Sequence, residues 1–230
     1  VTFDAGGINL KPSQWLANMK QDMGGSAAVV GVMKAVAELK LPVKLVGVLP
    51  LVENMPGGKA LKTGDVIVAA NGKTIEVENT DAEGRLILAD ALHYATRFKP
   101  NYLVDVATLT GAAAVALGSK CTSLMGNDQE LIDGLLKASK ETHELAWQLP
   151  MFKEYDDDIK SDIADIKNLG ARGEAGVIAG GVFLKNFIGD NKWAHIDIGA
   201  TAWTDRPRPY VSKGATGYPV RMLVKWLKEL

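Results

Sequence analysis

The chain has 230 residues, of which 47% are hydrophobic, and its 26 basic and 27 acidic side chains leave a net charge of −1. This apolar content supports a large core, and the balanced charge argues against nucleic-acid binding and against a polybasic membrane anchor. The longest uncharged stretch, 106–119, is too short for a membrane-spanning helix. The only cysteine, Cys121, excludes an internal disulfide and fits a reducing compartment, so we expect a cytoplasmic protein.

Apolar residues follow helical and strand spacings in alternation along the chain. In chain order, the patterns predict a short helix over 13–20, a helix over 26–40, a buried strand over 43–52, a hairpin over 66–77, a helix over 83–98, a buried strand over 102–109, a strand over 121–125, a helix over 129–143, a helix over 174–187, a strand over 193–198 and a helix over 218–230. Asn71-Gly72 is the turn signal of the hairpin. The fold class is therefore α/β, with a mostly parallel central sheet flanked by helices and one small inserted β-hairpin.

Four carboxylates stand beside small residues at the ends of predicted elements, namely Asp4, Asp22, Asp81 and Glu83. Open α/β sheets build their sites in such loops. Acidic groups placed there need positive partners, and hard divalent cations with oxygen ligands suit them. The pattern favours a metal site and, with it, metal-assisted hydrolysis.

A structural alternative explains part of this pattern equally well. Thr80 followed three positions later by Glu83 is also a helix capping box, and spacing alone favours the cap. The three histidines, His93, His143 and His195, show no ligand spacing. His195 lies in a strand pattern and is predicted to be a core residue.

A longer motif resembles one known family. The segment 79–86, Asn-Thr-Asp-Ala-Glu-Gly-Arg-Leu, is identical to the signature of the leucyl (cytosol) aminopeptidases, which are two-metal peptidases. Further segments resemble the family in the same order, over 2–12, 19–23, 53–58, 105–112 and 193–198. The resemblance covers essentially the whole chain and implies removal of N-terminal, Leu-like residues from peptides.

The resemblance also implies a ligand set for two divalent metal ions, Mn or Zn and possibly Mg. Asp4 and Glu83 would each contact both ions. Asp81 would bind one ion and Asp22 the other. This implication favours the metal site over the capping box.

Other roles follow from the same resemblance. Lys11 would polarise the scissile carbonyl, and Arg85 would hold a bicarbonate that acts as general base. The pocket for the first side chain of the substrate would be lined by Met19, Thr108 and Gly111. The family forms hexamers, so we expect a homo-oligomer with peptide substrates and without nucleic-acid or membrane partners.

The family has a lysine ligand five positions before Asp4, which falls before Val1. The resemblance therefore implies that residues 1–230 are an aminopeptidase catalytic domain that lacks its N-terminal part and the family's separate N-terminal domain. We expect the site that includes Asp22 to bind metal more weakly without this lysine.

Two other functions fit parts of the sequence. The first is a truncated, catalytically weakened scaffold that keeps the fold and the assembly of the family. The second is a peptide-binding module, because 59–72 looks like the central hairpin of PDZ domains. The carboxylate-cradling loop of such domains is missing upstream, which argues against the module.

Overall fold

The computed structural model describes residues 1–230 and contains seven helices and eleven strands. The helices are α1 (Ser13–Leu16), α2 (Gly24–Glu38), α3 (Gly84–Thr96), α4 (Ala112–Leu117), α5 (Gln129–Thr142), α6 (Gly176–Lys185) and α7 (Val220–Leu227). The strands are β1 (Phe3–Asp4), β2 (Glu53–Asn54), β3 (Val66–Val68), β4 (Thr74–Glu76), β5 (Leu103–Ala107), β6 (Thr122–Gly126), β7 (Ala146–Gln148), β8 (Ile166–Lys167), β9 (Trp193–Asp197), β10 (Trp203–Thr204) and β11 (Gly214–Ala215). None of the helices is long and apolar enough to cross a bilayer.

The central sheet has four strands in the order β5-β9-β6-β7. The outer pairs, β5 with β9 and β6 with β7, are parallel, whereas β9 and β6 run antiparallel. The predicted α/β class with a mostly parallel central sheet is therefore confirmed.

The two faces of this sheet build two halves of the core. On one face, Ala194 and Ile196 of β9 pack with apolar residues of α2, α5 and α7. On the other face, Trp193 packs with residues of α3 and α6 and with the hairpin. The alternation along one strand fits a sheet covered by helices on both sides. His195, on the second face, is fully buried, which confirms its prediction as a core residue.

The predicted hairpin is present. Strand β3 pairs antiparallel with β4, and Gly72 adopts a φ of 88° in the turn between them. A positive φ is easily adopted by glycine, which explains the Asn71-Gly72 turn signal. Strand β8 adds to the hairpin in parallel and forms a three-stranded sheet.

The predicted buried strand over 43–52 is wrong. Residues 44–51 form no helix or strand and make no backbone–backbone hydrogen bonds, and Val46 is 47% exposed. A cleft of about 130 Å³, lined by residues 46–48 on one side and by β5 on the other, lies between the two segments. An apolar run forms a strand only where a neighbour pairs with it. Pairing begins only at Glu53–Asn54, where β2 lies beside β1.

Several helix boundaries also differ from those predicted. The helix predicted over 13–20 is shorter and divides into α1 and a 3-10 turn at Met19–Gln21. Helix α2 begins at Gly24, two residues earlier than predicted, and Gly25 in its first turn lies against β5. A Cβ on Gly25 would fall on the carbonyl oxygen of Val106.

Replacing Gly25 with alanine tests this close approach. We expect Gly25→Ala to lower the free energy of unfolding by about 1–3 kcal/mol, because the added methyl group collides with the backbone of β5. The control is Gly57→Ala, since a Cβ there meets nothing within 4 Å. Urea denaturation measures both variants, and equal stability of the two would contradict the packing described.

Candidate metal centre

Three of the four candidate carboxylates come together at one site. Asp4, Asp81 and Glu83 each offer an oxygen atom, and these atoms lie within 4.8 Å of one another. Asp4 is the last residue of β1, and Glu83 directly precedes α3. The cluster thus lies where a strand end meets the start of a helix.

Two asparagines hold the loops that carry these acids. Asn54 Nδ2 donates to Asp4 Oδ1 at 2.9 Å and to the carbonyl oxygen of Thr80 at 2.8 Å. The fully buried Asn168 accepts from the backbone N–H of Glu78 at 2.9 Å and donates to the carbonyl oxygen of Asn79 at 2.7 Å. Sequence reasoning missed both roles. Asn54 lay in a segment that matched the family, whereas no signal pointed to Asn168.

The capping box predicted as the structural alternative does not form. No side-chain hydrogen bond caps α3. Instead, Thr80 Oγ1 donates to the carbonyl oxygen of Gly6 at 2.6 Å and accepts from the backbone N–H of Asn9 at 2.9 Å. Thr80 therefore ties the loop before α3 to the loop after β1, and Glu83 is free of a capping role.

Lys11 lies between two of the acids. Its Nζ is 2.7 Å from Asp4 Oδ2 and also pairs with Asp81 Oδ1. Burial opposes the charge on this ammonium, but hydrogen bonds to Asp4 and Asp81 outweigh it and raise the pKa of Lys11. Lys11 thus remains protonated and gives the cluster one fixed positive charge.

The carboxyl group of Glu83, unlike those of Asp4 and Asp81, has no positively charged partner within the cluster. Burial, reinforced by the charge of Asp4, raises the pKa of Glu83 to about 8, and Glu83 Oε2 is buried without a hydrogen-bond partner. Burial also raises the pKa of Asp81, against the opposing effect of Lys11. A buried, unpartnered carboxylate oxygen beside two further acids fits the donor set of a hard divalent cation.

Asp22 lies outside this close cluster. Its Oδ1 accepts a hydrogen bond of 2.7 Å from Thr108 Oγ1, on the loop after β5. Burial raises the pKa of Asp22, and the hydrogen bond from Thr108 opposes the shift. The charges of Asp4 and Lys11 also act on it, so Asp22 stands at the edge of the same charged site.

Arg85 lies in the first turn of α3, on the side of the cluster that faces the core. Its Nη1 donates to the carbonyl oxygen of Asn168 at 2.9 Å, but its Nε is buried without a partner. Burial lowers the pKa of Arg85 to about 10, and the charges of Asp197 and Glu83 oppose this shift. A charged donor without an acceptor at a helix N-terminus fits a small anion.

Of the three predicted pocket residues, Met19, Thr108 and Gly111, one lines the cleft beside β5. Thr108 and Asp22 line the cleft between 46–48 and β5. Met19 opens the 3-10 turn before Asp22, and Gly111 precedes α4, so neither lines that cleft. A Cβ on Gly111 would meet nothing within 4 Å, which leaves open space beside this loop.

The sequence matches one family of known proteins. Residues 1–224 match the family described as cytosol aminopeptidase family, catalytic domain. The chain belongs to this family.

Relatives named probable cytosol aminopeptidase match along the whole chain. The relative from Geobacter sp. (strain M21) is 55% identical over 229 residues, which are 100% of this chain and 46% of the relative. The relative from Nitrosomonas europaea is 52% identical, and the match covers 99% of this chain and 45% of the relative. The chain thus spans about half the length of the cytosol aminopeptidase relatives it matches.

A solved structure agrees with the family assignment. The bottromycin maturation enzyme BotP, in complex with Mn, superposes with a TM-score of 0.95 at 43% sequence identity. The match covers 100% of this chain and 51% of that enzyme. The fold described above is therefore the fold of this part of a cytosol aminopeptidase family member.

The raised pKa of Glu83 predicts a pH dependence of stability in chelator. Between pH 4.5 and about 8, the carboxyl group of Glu83 is protonated in the folded state but ionised in the unfolded chain. The free energy of unfolding therefore falls as pH rises through this window. The loss reaches roughly 4 kcal/mol at most for this group. Urea denaturation in EDTA at the two ends of the window measures it.

The variant Glu83→Gln is the matched control, because its side chain stays neutral. We expect its stability to fall less steeply over the same window than that of the unmodified protein. Mn²⁺ added at the upper pH should stabilise the unmodified protein and leave the variant nearly unchanged. Parallel pH profiles for the two proteins would contradict the assignment of this shift to Glu83.

Proposed function

We propose that the protein is a metal-dependent aminopeptidase that hydrolyses the N-terminal residue from peptides and prefers Leu-like residues. The observation that carries this proposal is the cluster of Asp4, Asp81 and Glu83 around Lys11, in a chain of the cytosol aminopeptidase family. Since the chain spans about half of its relatives, the activity is proposed for the protein at its natural length.

The acids would hold two divalent ions. Asp4 and Glu83 would contact both ions, Asp81 would bind one of them, and Asp22 would bind the other. Mn is our first choice because BotP is in complex with Mn, and Zn or Mg would suit the same oxygen donors. When bound, such a pair supplies Lewis acidity for the scissile carbonyl and lowers the pKa of a coordinated water.

The charged side chains of this protein would carry out the remaining steps. Lys11 Nζ would donate to the oxygen of the scissile carbonyl and stabilise the negative charge that develops there. Arg85 would hold a bicarbonate that accepts the proton of the attacking water. Its unpartnered Nε and its place in the first turn of α3 support an anion at this position.

The side chain of the first substrate residue would enter a pocket formed by Met19, Thr108 and Gly111. The open space beside Gly111 supports this placement. One methylene group more or less in an apolar pocket changes transition-state binding by about 1–3 kcal/mol. The preference for Leu-like residues would therefore be graded.

We also propose that the protein assembles into a homo-hexamer and acts in the cytoplasm. Large apolar side chains are exposed on separate parts of the surface, among them Val115 (90%), Trp147 (65%) and Tyr210 (97%). Because apolar side chains exposed singly are also common on monomeric proteins, this proposal rests on the family to which the chain belongs.

The direct test of the function is release of p-nitroaniline from Leu-p-nitroanilide. The protein at its natural length is dialysed against chelator, and Mn²⁺ or Zn²⁺ is then added back. We expect activity only with added metal, and we expect Asp81→Asn to lower it by roughly 100-fold or more, since a ligand is lost. The control Asp162→Asn changes an exposed acid that lies outside the cluster.

Full activity of Asp81→Asn, or activity of the unmodified protein in excess chelator, would overturn the proposal. A folded, metal-loaded protein without activity would instead favour the weakened scaffold. Thermal unfolding with and without Mn²⁺ distinguishes a folded inactive protein from a misfolded one.

Lys11→Met tests the proposed role in oxyanion stabilisation. We expect kcat to fall by about 100- to 1,000-fold with little change in KM, because the interaction strengthens in the transition state. Steady-state kinetics on Leu-p-nitroanilide measures both constants. A higher KM with unchanged kcat would assign Lys11 to substrate binding alone.

A further inference from the structure

The loop 108–111, which follows β5, links the proposed pocket to a proposed metal ligand. Two pocket residues, Thr108 and Gly111, lie at its ends, and Thr108 Oγ1 donates to Asp22 Oδ1 at 2.7 Å. A shift of this loop would therefore move the pocket wall and the carboxylate of Asp22 together. The contacts that hold the loop 108–111 in place therefore determine the position of the pocket wall and of the Asp22 carboxylate.

One buried carboxylate holds the loop. Asp197 Oδ1 accepts from the backbone N–H of Leu109 at 3.1 Å and of Thr110 at 3.3 Å. Asp197 Oδ2 accepts from Thr110 Oγ1 at 2.6 Å. The backbone N–H of Gly199 also donates to Oδ1, at 3.0 Å. Leu109 and Thr110 thus direct their amides to a side chain instead of to a neighbouring strand.

The sheet places Asp197 at this position. It is the last residue of β9 and stands opposite Ala107 in the parallel pairing with β5. Its side chain is fully buried, and Gly199 approaches so closely that a Cβ there would fall on the carbonyl oxygen of Thr110. The carboxylate is therefore fixed to two rigid strands and cannot follow a moving loop.

Asp197 has no lysine, arginine or histidine within ion-pair distance. Its charge is balanced by the four hydrogen-bond donors and, at longer range, by Arg85, whose pKa it raises against the effect of burial. Hydrogen bonds to a buried charge are among the strongest in proteins. Loss of any one donor would leave the buried carboxylate of Asp197 with one hydrogen bond fewer, which is unfavourable. The hydrogen bonds therefore stabilise one conformation of the loop 108–111.

We propose that Asp197 is a positioning residue that fixes the loop 108–111, and with it the pocket for the first side chain of the substrate and the orientation of Asp22. The carboxylate of Asp197 forms no hydrogen bond with the proposed metal ligands. It acts through Leu109 and Thr110. This inference rests on the proposed aminopeptidase function and adds a specificity-determining residue to it.

Thr110 allows the contact to be changed without touching the carboxylate. Thr110→Val keeps the shape of the side chain but removes the hydroxyl donor to Asp197, whereas Thr110→Ser keeps the donor. With the protein at its natural length, we expect Thr110→Val to raise KM for Leu-p-nitroanilide about tenfold with kcat within about twofold. We expect Thr110→Ser to retain the original KM.

Asp197→Asn keeps the size of the side chain and removes the charge. We expect it to raise KM further and to reduce the preference for Leu-p-nitroanilide over Ala-p-nitroanilide, because the pocket wall is no longer held in one conformation. The matched control is Ser123→Ala. Ser123 lies opposite Asp197 on β6, is equally buried, and has no hydrogen-bond partner for its Oγ.

Hydrogen exchange gives a readout that does not depend on activity. The amides of Leu109 and Thr110 should be protected in the unmodified protein and should exchange at least about tenfold faster in Asp197→Asn, but not in Ser123→Ala. Unchanged exchange in Asp197→Asn would overturn the positioning role even if the protein proved inactive. Unchanged KM and preference in an active protein, or an equal KM change in Ser123→Ala, would also overturn it. Lack of activity in the unmodified, metal-loaded protein would instead overturn the proposed function.

Discussion

The central constraint on this structure is the burial of several carboxylates beside a single lysine. Asp4, Asp81 and Glu83 converge within 4.8 Å, and Lys11 supplies one positive charge among them. Burying an isolated charge is unfavourable, and here burial raises the pKa of Glu83 to about 8 because the neutral form is favoured. A cluster of this kind is destabilised on its own and would be stabilised by a divalent cation. The same feature that weakens the metal-free fold would therefore favour binding of metal at the proposed site.

The surrounding structure keeps these acids together against their repulsion. The helices and the central sheet form an apolar framework on both faces of β9. Polar side chains then fix the loops to that framework, with Asn54 and Asn168 on the side of the cluster and Asp197 on the side of the loop after β5. Preorganisation of this kind lets a site bind ligands without ordering the loops anew. The central sheet and its helices provide the apolar core that stabilises the fold, and the loops beside them carry the residues proposed to bind metal and substrate.

Periodicity predicted the elements whose partners are near in sequence or whose apolar face is unmistakable. The hairpin around Asn71-Gly72 and strand β9 are examples. Periodicity wrongly predicted a strand over 43–52. An apolar pattern shows that a segment can be buried but not whether a neighbouring strand is present to pair with it. The Thr80 and Glu83 spacing was ambiguous for a similar reason, since Thr80 bonds to the distant Gly6. The residue pattern and the family resemblance both pointed to the acids, whereas the roles of Asn168 and Asp197 arise only from contacts between residues far apart in the chain.

The most direct test of a metal centre is anomalous diffraction from crystals of the protein grown with Mn²⁺. We expect one anomalous peak coordinated by Asp4, Asp81 and Glu83 and a second peak beside Asp22. The Nζ atom of Lys11 should be turned away from Asp4 and Asp81 towards the space proposed for the scissile carbonyl. Crystals that contain ordered Mn²⁺ elsewhere but no peak within coordination distance of these carboxylates, with Lys11 still paired to Asp4, would contradict a metal centre at this site.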